Sequence, residues 1–387
     1  MKKIGVMIIV FSLAFLIFNE KIRECIDEKV LKKEQIGRVI SIDNSNMITQ
    51  GISRIGSQNL EVEILSGKYQ GEVIEINNLL NGSMEYDEVY STGDKILVAI
   101  LENEGEIVGK ALSLLRMDKI MELGCIFIVL LLIYARGIGF KSLISFVGSV
   151  VIIWEYLIPA LKDGENIFFI TIITLVFLSA LIIFLVAGFT RKGITAFLGT
   201  MSGLFTTASL TFLFGDIFRI DGMNQPFAQS VVFASAMRID ILKIFYSAIV
   251  IGASGAAMDI AMDMAATIEE LKYHNPKIST HQLIKSGFNV GRSVIGTMTT
   301  TLLLAYSGGF LTLMMLFLER DMTLLQILNM KLITSEIIKI IIGSIGLVVV
   351  APMTTYIGGV IYSLQIDIES ILKKRCPLKK VFNIILK

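Results

Sequence analysis

Charged residues are scarce in this chain, and cysteine, histidine and proline are scarcer still. Only 18% of its 387 residues are charged, whereas about a quarter of a soluble domain is charged. The three cysteines, Cys25, Cys125 and Cys376, have neither the pairing of a disulfide framework nor the spacing of a zinc site. These shortages argue against a soluble domain, a disulfide-bonded scaffold and a resident metal or other cofactor.

Motifs of the common enzyme classes are also absent. The sequence contains no Walker motif, no Gly-x-Ser-x-Gly and no His-Glu-x-x-His. Lysine and arginine (35) nearly balance aspartate and glutamate (34), and no separate basic domain is available to bind nucleic acid. We therefore predict a protein that is not an enzyme and has no nucleic-acid partner.

Apolar residues, in contrast, are abundant and grouped. They make up 54% of the chain, and the mean hydropathy is +0.72. They cluster in blocks long enough for helices that cross about 30 Å of hydrocarbon. The sequence predicts a polytopic α-helical membrane protein in a lipid bilayer. Its eight predicted spans are residues 4–18, 120–135, 140–160, 167–187, 194–214, 241–262, 294–318 and 337–362.

The positions of lysine and arginine predict the orientation of these spans. Both are concentrated in the segments that are cytoplasmic if the N-terminus is inside, so both termini are predicted to be cytoplasmic. No cleavage site follows the first block, which predicts an uncleaved anchor. The predicted parts are a membrane anchor (1–19), an extracytoplasmic domain (20–118), a seven-helix membrane domain (119–365) and a basic cytoplasmic tail (366–387).

The extracytoplasmic segment predicts a small β-rich domain. Apolar and polar residues alternate in 60–65, 71–76 and 94–100, and glycine-containing turns separate these stretches. We expect an OB-like barrel or a sandwich of five or six strands. The domain is acidic and lacks interleaved aromatic and basic residues, so it is a poor candidate for binding single-stranded nucleic acid. A stable cap or a docking module for a protein partner is the expected role.

Two carboxylates in the sixth predicted span are the strongest functional candidates. Asp259 and Asp263 are four residues apart, so both project from one helical face. Ionisable groups within spans are costly to bury and commonly functional, and this pair predicts a proton or cation site. The alternative is a wetted helix end, because a span that begins near Ile241 places Asp263 at the cytoplasmic edge.

The seventh predicted span contains a second polar group. Thr297 and Thr301 share a face and offer hydroxyl oxygens to a substrate, or they bond back to carbonyls of their own helix. The Ser307-Gly308-Gly309 step is expected to weaken the helix, and broken helices are common at transporter binding sites. Asn289 and Arg292 are predicted to gate the cytoplasmic mouth of the path.

Small residues and one proline predict packing rather than binding. Gly199 and Gly203 belong to a stripe of small residues in the fifth predicted span, and Gly252 belongs to a stripe in the sixth. Such stripes allow helix backbones to approach closely, so we expect these two spans to pack together. Pro352 predicts a kink in the last span, as a hinge or a packing adjustment.

Four stretches of the membrane domain resemble the YibE/F family of bacterial multi-spanning membrane proteins. They are Gly255-Ala-Ala-Met-Asp-Ile-Ala-Met-Asp-Met-Ala, Asn275-Pro276, Ser286-Gly-Phe-Asn-Val-Gly-Arg292 and Gly296-Thr-Met-Thr-Thr-Thr. The order of an anchor, a β-rich domain and seven spans is also similar. The resemblance implies a bacterial cytoplasmic-membrane location and a transport-related role, with no established activity.

Two positions depart from the family's pattern. An acid stands at Asp263, where the family usually has a small polar residue, and Ser293 stands where the family often has an acid. The resemblance therefore makes Asp259 and Arg292 the safer functional core. If Asp263 replaces the acid missing at position 293, it should contact Arg292.

These observations favour a permease-like protein that moves a small solute or ion, with Asp259 as the proton or cation site. The residues at 297, 301 and 307–309 would contact the transported species. The alternative is a non-transporting envelope scaffold that binds a partner through the extracytoplasmic domain. An intramembrane aspartyl protease is a more distant reading, because two carboxylates on one helix face cannot flank a scissile bond. The sequence does not predict an oligomeric state.

Overall fold

The computed structural model describes residues 34–83, 87–103, 106–162, 166–215, 217–234 and 239–364. The predicted first span and the basic tail lie outside these residues. The described chain begins with six β-strands and continues as helices. The strands are β1 (Glu34–Asp43), β2 (Met47–Gln50), β3 (Ser53–Ile64), β4 (Val73–Asn81), β5 (Lys95–Asn103) and β6 (Glu106–Leu114).

Five of the strands close into a barrel. The order is β1-β5-β6-β4-β3, and β3 pairs back onto β1 to complete the ring, while β2 is added to β3 as a hairpin. All of these neighbours are antiparallel except β4 and β6, which are parallel. A five-stranded barrel with this mixed closure is typical of the OB type. The β-rich domain predicted from the sequence is confirmed.

Apolar side chains at every second position of the strands fill the interior of the barrel. Leu60, Val62 and Ile64 of β3 are buried, and the residues between them are more exposed, so one face of the strand lines the interior. One polar side chain belongs to this buried row, since Gln58 is fully buried. Its amide donates to the carbonyl oxygen of Tyr90 at 2.9 Å and accepts from the N–H of Tyr90 at 3.0 Å. The amide thereby fastens the segment before β5 to the barrel.

Tyr90 makes the barrel sensitive to alkaline pH. Burial, reinforced by the negative charge of Glu88, raises the pKa of Tyr90 from 10.0 to about 12. Well below pH 10 the phenol is neutral in both the folded and the unfolded state. Between pH 10 and 12 it ionises first in the unfolded chain, so the barrel should lose about 2 to 3 kcal/mol of its free energy of unfolding over that interval.

The ionisation of Tyr90 can be measured as the difference in phenolate absorbance between wild type and Tyr90→Phe during an alkaline titration. We expect one phenol with a midpoint near pH 12. If the phenol that Tyr90→Phe removes titrated with a midpoint at pH 10, water would reach the Tyr90 ring in the folded barrel. That result would contradict the 3% exposure of Tyr90.

The helices of the membrane part follow directly. The first is a long helical segment made of α1 (Met117–Val151), a π-helical turn (Ile152–Leu157) and α2 (Ile158–Lys162). The others are α3 (Ile167–Ala187), α4 (Arg191–Gly215), α5 (Ala228–Ala234), α6 (Ile241–His274), α7 (Thr280–Gly308), α8 (Leu311–Glu319), α9 (Leu324–Asn329) and α10 (Lys331–Ser363).

Five segments of the described chain are long and apolar enough to cross a membrane. They are Met117–Lys162, Ile167–Ala187, Arg191–Gly215, Ile241–His274 and Lys331–Ser363. The backbone leaves the helical region at Arg136 (φ 50°, ψ −123°), which lies between the second and third predicted spans. The seventh predicted span corresponds to the end of α7 together with α8 and is not among the five segments. An α-helical membrane domain is therefore observed, whereas the number of eight spans remains a prediction.

Helix α6 is central to the bundle, because one side of it packs against three other helices. Ala257, Ala261, Met264 and Ala265 on this side belong to a buried core that includes residues of α3, α4 and α10. Alanine at three of these four positions lets the neighbouring helices approach closely. Because this side of α6 is packed against the bundle, the acidic residues on the opposite side point away from the core.

Candidate functional site

The two aspartates lie on the exposed side of α6. Asp259 and Asp263 are both exposed, and so are Gly252 and Gly255 on the same side of the helix, whereas Ile260 and Met264 on the other side are fully buried. A Cβ added at Gly255 would meet no atom within 4 Å. Carboxylates facing lipid are costly, so wherever this face lies within the bilayer we expect it to contact water or another polar surface.

An open groove runs beside Asp263 towards the end of α6. It has a volume of about 750 Å³ and is bounded by α6, the turn after it and α7. Its polar lining consists of Asp263, Thr267, Glu270, His274 and Asn275, and Val294 contributes from α7. No lysine or arginine of the described chain lines it. Two carboxylates, Asp263 and Glu270, therefore line the groove, and Lys272 Nζ reaches its border at the carbonyl oxygen of Ile278.

Thr297 and Thr301 follow Val294 along α7 at helical spacing. Thr297 Oγ1 donates to the carbonyl oxygen of Val294 at 3.0 Å, and Thr301 Oγ1 donates to that of Thr297 at 3.0 Å. Their hydroxyl hydrogens are used within the helix, while the lone pairs on the oxygens remain available. Both residues are exposed, and their separation of three and seven residues from Val294 places them on the side of α7 that borders the groove.

Helix α7 ends at the Ser307-Gly308-Gly309 step. The last helical residue is Gly308, and α8 begins at Leu311. The N–H of Phe310 donates to the carbonyl oxygen of Ser307 at 3.0 Å, which closes a turn between the two helices. Gly308 and Gly309 are exposed and Ser307 is half-buried. The broken helix therefore occurs at the residues whose sequence predicts it.

Asn289 and Arg292 also lie on exposed parts of α7. Within the described chain Arg292 forms no ion pair with Asp263 or with any other carboxylate at 4 Å or less. Helical spacing gives the physical reason, because Arg292 lies roughly 160° around α7 from Val294, the residue that faces the groove. The contact expected if Asp263 replaced an acid at position 293 is not formed.

The predicted packing residues divide into two groups. Gly199 and Gly203 are buried against α10: a Cβ at Gly199 would lie 2.8 Å from Cβ of Thr354, and one at Gly203 would lie 3.1 Å from the carbonyl oxygen of Gly346. Helices α4 and α6 are in contact as expected, but the glycines of α4 face α10. Gly252 is exposed, and Pro352 is half-buried inside a helix that continues to Ser363.

Two sets of charged residues that the sequence did not single out form ion pairs within the helical bundle. Lys339 Nζ lies 2.7 Å from Glu336 Oε1 in α10, and only 13% and 11% of the two side chains are exposed. A second group joins three helices, because Glu269 of α6 pairs with Lys192 of α4 at 3.5 Å and accepts from the hydroxyl of Tyr362 in α10 at 3.2 Å. Opposite charges at i and i+3 are the sequence signal that could have identified the first pair.

A barrel of the OB type followed by long apolar helices defines an integral membrane protein with an additional β-domain. The sequence profile of the YibE/F-like protein family matches residues 123–364. The profile of the YibE/F family N-terminal domain matches residues 30–114. The chain belongs to the YibE/F family, as its motifs suggest. Comparisons with curated proteins and with solved structures gave no match.

Proposed function

We propose that this protein transports a small solute or ion across the bacterial cytoplasmic membrane, through a path along the exposed side of α6 and the adjoining side of α7. The observation that carries the proposal is the exposure of Asp259 and Asp263 on a helix long and apolar enough to span a membrane. A water-filled path provides hydrogen-bond partners for these carboxylates, whereas lipid provides none.

The surroundings of the aspartates support a path for cations in particular. The groove next to Asp263 is lined by carboxylates, a hydroxyl, an imidazole and an amide, and the row continues inward to Asp259 one helical turn away. Thr297 and Thr301 add oxygen atoms from α7. In this proposal all eight predicted spans cross the membrane, both termini are cytoplasmic and the barrel is extracytoplasmic.

Electrical recording tests the proposed function. Reconstituted protein on a supported membrane would be challenged with pH jumps and with a panel of ions and small metabolites. We expect the wild-type current to fall in Asp259→Asn to the level of protein-free membranes, because the amide keeps the shape of the side chain but removes the charge. Asp321→Asn makes the same change at an exposed residue outside the long apolar helices and should retain the current.

Each other outcome also has a definite meaning. An undiminished current in Asp259→Asn would remove that carboxylate from the mechanism. Silence of folded wild-type protein towards the whole panel would contradict transport and would favour the envelope scaffold, in which the barrel holds a protein partner. Far-UV circular dichroism and size-exclusion chromatography would establish that each variant is folded.

A further inference from the structure

One side of α7 carries a row of uncharged polar side chains. Gln282, Ser286, Asn289 and Ser293 follow one another at spacings of four, three and four, which keeps them on one side of the helix. Three of them are exposed and Ser286 is half-buried. Within the described residues, none of these four side chains forms a hydrogen bond. Such a row favours contact with another helix, because serine, asparagine and glutamine hydrogen-bond between helices in membranes.

Two bases lie along one flank of this polar row. Lys285 and Arg292 are seven residues apart and exposed, so they share one side of α7. Neither forms an ion pair at 4 Å or less with a carboxylate of the described chain. Ser293 lies about 100° around α7 both from Arg292 and from Val294, which lines the groove. The polar row therefore lies between the bases on one flank and the groove on the other.

Asp263, on the groove side, is level with Arg292 along the two helices. A Cβ added at Gly291 would lie 3.4 Å from Met264 Cε, so these two positions are side by side in α7 and α6. Arg292 comes directly after the first of them in the chain, and Asp263 comes directly before the second. Because the two charged residues point to different flanks of the polar row, they do not meet within one copy.

Glu270 is level with Lys285 in the same way. A Cβ added at Gly287 would lie 2.7 Å from Ile268 Cδ1. Lys285 comes two residues before the first of these positions, and Glu270 comes two residues after the second. The ion-pair partner of Glu270 is His274, with 3.5 Å between Oε2 and Nε2. The acids on one flank and the bases on the other therefore repeat with the same spacing of seven residues.

Two-fold symmetry would bring these opposite charges together between two copies of the chain. Copies of a membrane protein share one orientation in the bilayer, so a two-fold axis that relates them lies along the membrane normal, and each residue meets residues at its own depth. An axis in front of the polar row places each flank of one copy against the other flank of its partner. Asp263 then faces Arg292 of the partner subunit, and Glu270 faces Lys285 of the partner subunit.

We propose that two copies of this chain form a dimer in the membrane through the exposed sides of α6 and α7. The polar rows of the two α7 helices meet at its centre, near Asn289, and the ion pairs between acids and bases flank this contact. The second copy also bounds the open groove beside Asp263. The proposal goes beyond transport, because the interface forms whether or not a solute moves through the protein.

Charge reversal tests which residues meet in the dimer. Full-length chains with a donor or an acceptor dye at the C-terminus would be reconstituted together in lipid vesicles, and energy transfer at increasing lipid dilution gives the dissociation constant. Asp263→Arg and Arg292→Asp should each weaken the dimer roughly tenfold or more, because like charges then face each other. The double variant restores opposite charges across the interface and should recover most of the wild-type affinity.

Arg320→Asp is the matched control, because it reverses an exposed arginine outside α6 and α7. Its dissociation constant should equal that of wild type. Far-UV circular dichroism would establish that each variant is folded. The proposal is overturned if folded wild-type protein is monomeric at every dilution, or if the double variant is no better than the single ones. Monomers whose Arg292 holds anionic lipid would assign the bases to lipid headgroups and would also overturn the dimer.

Cross-linking tests the same interface without reversing a charge, so it decides the proposal even if a reversed charge prevents folding. With the three natural cysteines replaced by serine, Ser293→Cys should give a dimer with a short thiol-to-thiol cross-linker in vesicles. Ile341→Cys places a thiol on an exposed position of α10 and should give none. Equal cross-linking of both variants, or of neither, would contradict the proposal. A cross-linked dimer that carries no current would contradict transport and leave the interface in place.

Discussion

Replacing Lys339 with methionine should lower the free energy of unfolding by about 3 to 5 kcal/mol. The substitution keeps most of the apolar stem but leaves the Glu336 carboxylate, whose side chain is only 11% exposed, without its cation. Lys339 Nζ also lies 5.8 Å from the ring centroid of Phe245 in α6, so the ammonium contributes to the contact between two helices. Unfolding by SDS in mixed micelles, followed by circular dichroism, gives the free energy.

The double variant Glu336→Leu with Lys339→Met separates the charge effect from packing. Replacing a whole buried ion pair by apolar residues is often neutral or stabilising, whereas removing one partner is not. The double variant should therefore recover most of the stability lost in Lys339→Met. A single variant that costs less than about 1 kcal/mol would instead mean that the Glu336 carboxylate reaches water in the folded protein.

Gly203→Leu should destabilise the bundle by about 1 to 3 kcal/mol, the range typical of overpacked cores. A side chain at position 203 would overlap Val350, and its Cβ would lie 3.1 Å from the backbone oxygen of Gly346. Backbone cannot move aside as a flexible side chain can, so α4 and α10 would have to separate. The loss should appear as a lower thermal midpoint in size-exclusion chromatography after heating.

Gly296→Leu is the matched control for this substitution. Gly296 lies in α7, and a Cβ added there would meet no atom within 4 Å. The control should retain or slightly exceed wild-type stability, because leucine favours the helical conformation more than glycine does. Equal losses in both variants would show that the close contact between α4 and α10 is not what limits the size of residue 203.

The barrel shows what local sequence patterns can predict. Alternation in β3 and β4 predicted strands with one buried face, and Leu60, Ile74 and Ile76 are buried accordingly. The closure of β3 onto β1 and the parallel contact of β4 with β6 were not predictable. They depend on pairing between segments far apart in the chain, and alternation is equally compatible with a sandwich.

The helices show the same division between local and long-range information. Spacing alone placed Asp259 and Asp263 on one face, but it did not determine that the small-residue stripe of Gly199 and Gly203 would face α10. A glycine allows close approach without specifying a partner. Glu336 was missed because hydropathy placed the start of the last span at residue 337, although α10 begins at Lys331.

The contact between α4 and α10 has a consequence for biosynthesis. Gly203 meets Gly346 and Val350, so the ribosome must make well over a hundred further residues after α4 before its partner exists. Until then the threonines and glycines that α4 buries against α10 do not have that helix to pack against. The close contact between α4 and α10 therefore cannot form until α10 has been synthesised.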